Sequence, residues 1–527
     1  DQPLAPPQDS LWGFALHTSK GQPVPLLATF GDVNAGHTHP SLPALRPLVI
    51  RLLLWWVVLV WAVWRGWAAG RIAGVGQWPA RFAAQSQPVK VFVWLLLIAL
   101  YYFATWPPLI GLCWLVGALL LGAQPLTGLL LAAFLLPFHF QHKEVALIGT
   151  ILSVPPAQAA LLCTLPGVVP GWLAGIRRPR GRLLSADWLA LGWLSISLLS
   201  AVAAWDWMST PGGLWGVVFV PLLLYGLART VATSPGHQIK VGAALAAGGV
   251  AAAGVGLCLW WGGDGVSVDG VRRLIGLTFS PNQTALMLER GLFVSLGLML
   301  ARWGERGWHW LWMVGLGFLG LALLLTGSRG ALLLGIPAGV AFCLVCQPAF
   351  YRRLRLRPWL VAVLLAAGLL AGGLLLGERL LNSDTVAQRL HIWQGALDLW
   401  RAYPWLGVGP GGFFWHYPAF MTAAAASEPN LLHPHLLWLE FATGWGVAGL
   451  LWVLAFGYWL VSRVTDRRTQ LGGLEMGLLA GLVAGIAHGQ VDAFGALPEL
   501  AAWNWLVIAL LSTQVRQNRK IADKSIQ

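Results

Sequence analysis

The sequence predicts an all-α polytopic membrane protein, with about 12–15 transmembrane helices and a large extracytoplasmic loop containing short helices. Three observations predict it. The 527-residue chain is 57% hydrophobic and only 10% charged, whereas soluble domains carry roughly a quarter of charged residues. Its apolar runs repeatedly reach the ~18–20 residues that cross a bilayer. Many of its 33 tryptophans stand near the ends of those runs, where indole rings anchor at the membrane interface. The net charge of +14 then reads as basic cytoplasmic loops, not as a nucleic-acid surface. The five cysteines, at 113, 163, 258, 343 and 346, fall in or near apolar runs. The Cys343-x-x-Cys346 pair lacks a redox-fold context, so all five read as free core thiols.

Taken in order, residues 1–46 are polar and rich in Pro, Gly and His, and are expected to be an extracytoplasmic tail. They show no signal-peptide pattern, as expected of a processed or truncated chain. Residues 47–180 hold apolar segments at 48–64, 91–106, 109–123, 126–138 and 145–163. The segments 109–123 and 126–138 are short enough to be re-entrant. Residues 181–377 form the transmembrane core, with segments at 184–204, 214–231, 241–261, 283–301, 308–326, 331–347 and 359–377. A long loop at 378–440 follows. The last segments, at 441–462, 474–490 and 497–514, occupy 441–514, and 515–527 is a tail.

Lys and Arg set the orientation. Clusters at 65–90, 177–182, 229–240, 302–306, 352–357, 463–468 and 516–524 hold 23 of the 34 basic residues. With these segments all seven fall on one side, expected to be the cytoplasm, which also receives the C-terminus. Six arginines are left on the outer side: Arg272, Arg273, Arg329, Arg379, Arg389 and Arg401. Such residues are topologically disfavoured and usually have work to do. For Arg379 and Arg401 a solvated loop charge is the plainer reading. The others sit in distinctive patterns.

"RRLIGLTFSPNQTA", 272–285, is an outer loop running into a helix that opens at Pro281, with Asn282 and Gln283 in its first turn. A helix start beside an arginine suits an anion. "LLLTGSRGALLL", 323–334, interrupts two apolar segments with Ser328 and Arg329. In 387–418, Arg389 opens an amphipathic helix with Ile392, Ala396, Leu397 and Trp400 on one face, followed by "GVGPGGF". That Gly-rich stretch lacks the strand and Lys-Ser/Thr of a phosphate loop and reads as a sharp turn. "EPNLLHPHLLWLE", 428–440, sets His433 and His435 just before a long apolar segment. His488 and Asp492, four apart, are expected to share a helix face.

These residues resemble the O-antigen ligase/polymerase family (Wzy_C type), membrane glycosyltransferases of the GT-C kind. The features that match are Arg273-x-x-Gly276 with Pro281-Asn282, Ser328-Arg329-Gly330, Arg389-x-x-x-Trp393 leading to 403–413, His435 with Leu439-Glu440, and His488 with Asp492. They span roughly 184–514. Leu436 stands where the family often has Asn. The resemblance implies a bacterial inner-membrane enzyme that moves a glycan from an undecaprenyl-diphosphate-linked donor to an acceptor hydroxyl on a glycan, lipid or protein, on the extracytoplasmic face. It implies that Arg273, Arg329 and Arg389 hold the diphosphate, because a guanidinium binds phosphate oxygens bidentately and stays charged. It implies that His435, with His433 as the competing choice, accepts the acceptor's proton, since imidazole titrates near neutrality. Glu440 or Asp492 would orient the imidazole, and Arg272, Ser328, Asn282 and His488 would support the site. The 378–440 loop would be a lid that excludes water. No metal and no cofactor are expected, because the arginines take the metal's place and neither a DxD pair nor a zinc spacing is legible.

Two other classes stay open on sequence. Glu289 and Arg290, inside an apolar run, are what a transporter of lipid-linked glycans would carry along its path. A non-catalytic subunit of a membrane assembly would use the 1–46 tail, with His17, His37 and His39, for docking.

Overall fold

The computed structural model describes residues 78–147, 150–173, 184–204, 209–268, 270–301, 309–346, 383–425, 431–465 and 471–526. The expected segments 48–64 and 359–377, Arg379, and the tail histidines lie outside the described residues.

The apolar runs become helices. In chain order they are α1 (Gln87–Phe103), α2 (Pro107–Ala123), α3 (Pro125–Leu135), α4 (Pro156–Thr164), α5 (Ser185–Ala203), α6 (Thr210–Val231) and α7 (Pro235–Trp261). There follow α8 (Pro281–Ala301), α9 (His309–Thr326), α10 (Gly330–Cys346), α11 (Ser383–Ala402), α12 (Leu437–Thr465), α13 (Gly473–His488) and α14 (Pro498–Ile526). Many open on proline, whose fixed φ and missing N–H suit a first turn. Among the described residues five helices, α5, α6, α7, α8 and α12, are long and apolar enough to cross a membrane. A sixth span results if α2 and α3, bent by 116° at their junction, count as one. That bend falls where the short segments 109–123 and 126–138 were expected to be re-entrant.

One expected segment is not a helix span. Residues 145–163 divide into an antiparallel hairpin of β1 (Lys143–Leu147) and β2 (Thr150–Val154), then the short α4. Pro155 and Pro156 stop a helix from running through. The amphipathic helix also differs: α11 starts at Ser383, so Arg389 lies in its second turn. Ser383, Asp384 and Thr385 are stronger start signals than anything at 387. Its buried face is Ile392, Ala396 and Leu399. All five cysteines are free, but Cys258 is exposed on α7 instead of sitting in the core.

α8 is the centre of the bundle, buried along most of its length. Glycines bring its backbone against α13: a Cβ on Gly297 would collide with Gly473 O, and one on Gly477 with Phe293 O. Small residues at such crossings are how helices approach without a hydrophobic drive from water. α12 is fastened to α5 by tilted ring contacts, with the Trp193 ring centre lying 4.5 Å from that of Trp445 and 4.7 Å from that of Trp452. α12 breaks at Gly446 (φ 64°, ψ −153°). The Gly-rich turn fills the break. Gly407, Gly409 and Gly411 all take positive φ, Val408 N donates to Thr443 O (2.8 Å), and Gly409 N to Gly444 O (3.0 Å). These bonds satisfy carbonyls that the interrupted helix leaves without partners.

Candidate active site

The polar motifs converge at one end of the bundle. The β3 (Val266–Val268) and β4 (Val271–Arg273) hairpin joins the α9–α10 junction through Leu274 N to Leu325 O (2.9 Å). The start of α12 joins the end of α13 through Leu437 N to Gly489 O (2.7 Å).

Arg273 is held from two sides. Its Nε donates to Thr326 O (2.6 Å) and its Nη2 to Asn282 Oδ1 (2.9 Å). The guanidinium is thereby set between the first turn of α8 and the Ser328-Arg329 segment. Arg272 leaves this group. Its guanidinium lies over the Trp260 ring at 4.6 Å, because successive strand residues point to opposite faces. Gly327 (φ 56°) makes the turn that presents Ser328 and Arg329, after which α10 begins with a π-helical turn, Gly330–Gly335. Such turns recur at functional sites. Arg389 stands near enough for its charge to oppose protonation of His433. Arg401 pairs with Asp398 on an exposed face.

His433, His435 and Asp492 form one cluster. His435 is the only non-glycine residue with positive φ (52°) among the described residues, a conformation that costs free energy and persists where surroundings enforce it. The enforcement is visible: His435 N donates to His433 Nδ1 (3.2 Å). Because Nδ1 of His433 accepts, its Nε2 carries the ring hydrogen, and Nε2 lies 3.7 Å from Asp492 Oδ1. Burial first, then the neighbouring His435, pull the His433 pKa down to about 3 in spite of Asp492, and Arg389 adds to the effect. His433 is a sealed, neutral ring. His435 differs: its side chain is 23% exposed against 8% for His433, and its Nδ1 lies 3.5 Å from Asp492 Oδ1. That distance is ion-pair reach without the alignment of a formed hydrogen bond. With Nδ1 toward the carboxylate, the lone pair left to His435 is on Nε2. Burial alone would raise Asp492, but His435 first, then His433 and His488, outweigh it and hold the carboxyl well below the usual range.

Asp492 and His488 do not share a helix face. α13 ends at His488, Gly489 caps it, and 489–492 is a turn. Asp492 faces the histidine pair, whereas His488 turns inward to Glu289 (Nδ1 to Oε2, 3.1 Å). Glu440 does not touch an imidazole. Its carboxylate accepts from Phe494 N (2.9 Å) and Gly495 N (2.7 Å), and so shapes the loop that carries Asp492. Glu289 and Arg290, on α8, are completely enclosed, Glu289 against Gly335 of α10 and Arg290 against Gly485 of α13 and Trp503 of α14. Sequence reasoning missed Glu289 as a partner of His488. Its only signal was a charge inside an apolar run.

His433, His435 and Asp492 offer ligand atoms within 4.8 Å of one another. A cation on His433 Nε2 would require the ring hydrogen on Nδ1, where the His435 N–H already points. The cluster as built suits proton transfer better than metal ligation.

Fold and site define a helical membrane protein with an imidazole–carboxylate cluster beside several arginines at one end. Residues 314–454 match the family model described as O-antigen ligase (Wzy_C), the family that the motifs resemble. The match takes in Ser328, Arg329, Arg389, both histidines and Glu440, while Arg273, Asn282, His488 and Asp492 lie outside it. At the family level it points to O-antigen ligase-like glycan transfer. No curated protein matches the chain.

Proposed function

We propose that the protein transfers a glycan from an undecaprenyl-diphosphate-linked donor to an acceptor hydroxyl, at the extracytoplasmic face of a bacterial inner membrane, with the C-terminus in the cytoplasm. His435 is the base. Asp492 orients it through Nδ1 and stabilises the imidazolium that forms when Nε2 takes the acceptor's proton. Arg273, Arg329 and Arg389 bind the diphosphate and offset the charge it gains on leaving. The carrier's apolar tail requires a site at the membrane boundary, where the polar end of the bundle is expected to lie.

The observation that carries this reading is the left-handed backbone of His435, fixed by His433 so that Nδ1 faces Asp492. Strain of this kind clusters at active sites. The test is glycan transfer by purified protein in detergent with a lipid-diphosphate oligosaccharide donor, mixed acceptors and EDTA. Wild type should release the lipid diphosphate and form product. Arg389→Ala should lose about 100-fold or more, as removal of a transition-state charge partner does. Undiminished turnover by that variant would remove Arg389 from the reaction.

A further inference from the structure

Glu289, His488 and Ser328 form a chain to which the proposed reaction assigns no role. Glu289 Oε2 faces His488 Nδ1 at 3.1 Å, and His488 Nε2 faces Ser328 Oγ at 3.4 Å. Ser328 Oγ in turn stands 3.5 Å from Ala331 N, at the first turn of α10. All three side chains are 0–1% exposed. With Glu289 ionised and His488 neutral, one placement of the protons satisfies the chain. The carboxylate fixes the hydrogen on Nδ1, Nε2 accepts from the Ser328 hydroxyl, and the Ser328 oxygen is left to accept from Ala331 N–H. The chain is built into the packing: a Cβ on Gly335 would collide with Glu289 Oε2, and a Cβ on Gly330 with the His488 ring. Both glycines belong to the π-helical turn that follows Arg329. The other Glu289 oxygen lies 3.8 Å from Arg290 Nη1.

We propose that Glu289, His488 and Ser328 are positioning residues that fix Arg329 against the donor diphosphate from inside the bundle. The relay ends one residue from Arg329 and sets the turn on which that arginine is carried. It rests on the assignment of Arg329 to the diphosphate.

The test is steady-state transfer by the full chain in detergent, varying donor and acceptor separately, for wild type, Ser328→Ala, Arg329→Ala and the double variant. Ser328→Ala should raise the donor KM about 10-fold and leave the acceptor KM unchanged, the split expected when one substrate's binding group is misplaced. In the Arg329→Ala background the same change should cost less than about twofold, since residues acting through one group are not additive. Ser328→Thr, which keeps the hydroxyl, should restore the donor KM. An equal rise in both KM values, or an equal cost in both backgrounds, would overturn the relay. If Arg329→Ala raises the donor KM and Ser328→Ala does not, the relay fails and the diphosphate reading stands. If Arg329→Ala leaves the donor KM unmoved, the diphosphate reading of that arginine fails, and the relay with it.

Discussion

In the proposed reaction, two histidines one residue apart divide the work because one bond separates them chemically. His433 accepts the backbone N–H of His435, so it is committed to a single tautomer and cannot serve as a base through Nδ1. His433→Asn should therefore keep most of the activity, because the Asn Oδ1 can accept the same N–H, whereas His433→Ala should lose about tenfold. Equal rates for the two variants would show that the bond does not matter. The same residue predicts a pH effect. Folded His433 titrates near 3, whereas an unfolded imidazole titrates near ~6.5. The unfolded chain thus binds the extra proton first, and stability falls as pH drops from about 7 toward 3. Asp492 is shifted in the same direction and its effect has the same sign: its depressed pKa contributes stability above ~4 that is lost only in stronger acid. Between pH 7 and 5 the melting temperature should fall, and should fall less in His433→Asn. Identical slopes would contradict the burial argument. The residue types of this site were legible from order and chemistry. The division of roles was not, because it depends on a backbone angle and a tautomer that no spacing encodes.

Elements explain where such angles come from. The break in α12 at Gly446 is filled by the 405–411 turn, and a Cβ there would strike the Trp405 carbonyl. Gly446→Ala should cost at least the ~1–3 kcal/mol of a strained backbone position and lower the thermal midpoint, measured in detergent by intrinsic tryptophan fluorescence. An unchanged midpoint would mean that α12 and the turn are not coupled. The sequence marked the Gly-rich turn as sharp but gave no hint of its partner, which lies more than thirty residues on, across the loop (Gly409 to Gly444). It misread 145–163 for a different reason. Hydropathy weighs that stretch as apolar whether it pairs as strands or coils as a helix, and the informative residues were Pro155 and Pro156. The His488/Asp492 spacing failed at Gly489, where the helix on which the argument depended had already ended.

At the scale of the whole molecule, the charge that crosses least easily decides orientation, and the arrangement of motifs follows. The expected topology puts 491–496 outside and 516–524 inside. Single cysteines introduced at Gln490 and Lys524 in a cysteine-free background should react with an impermeant maleimide from opposite sides of intact cells, and labelling from the same side would reverse the assignment of faces. Helical class and most segment positions were legible because apolar length is a one-dimensional property. The convergence of Arg273, Asp492 and His435 at one end was not, because it is made by α8, α12 and α13 crossing in three dimensions. The most direct test of the account is glycan transfer from a lipid-diphosphate donor by purified wild type, His435→Ala and His433→Asn, each checked for folding by size-exclusion chromatography. The account predicts product from wild type and His433→Asn, and a loss of about 10²–10⁴-fold in His435→Ala, the range that a general base supplies. Folded His435→Ala that transfers glycan at the wild-type rate would contradict it.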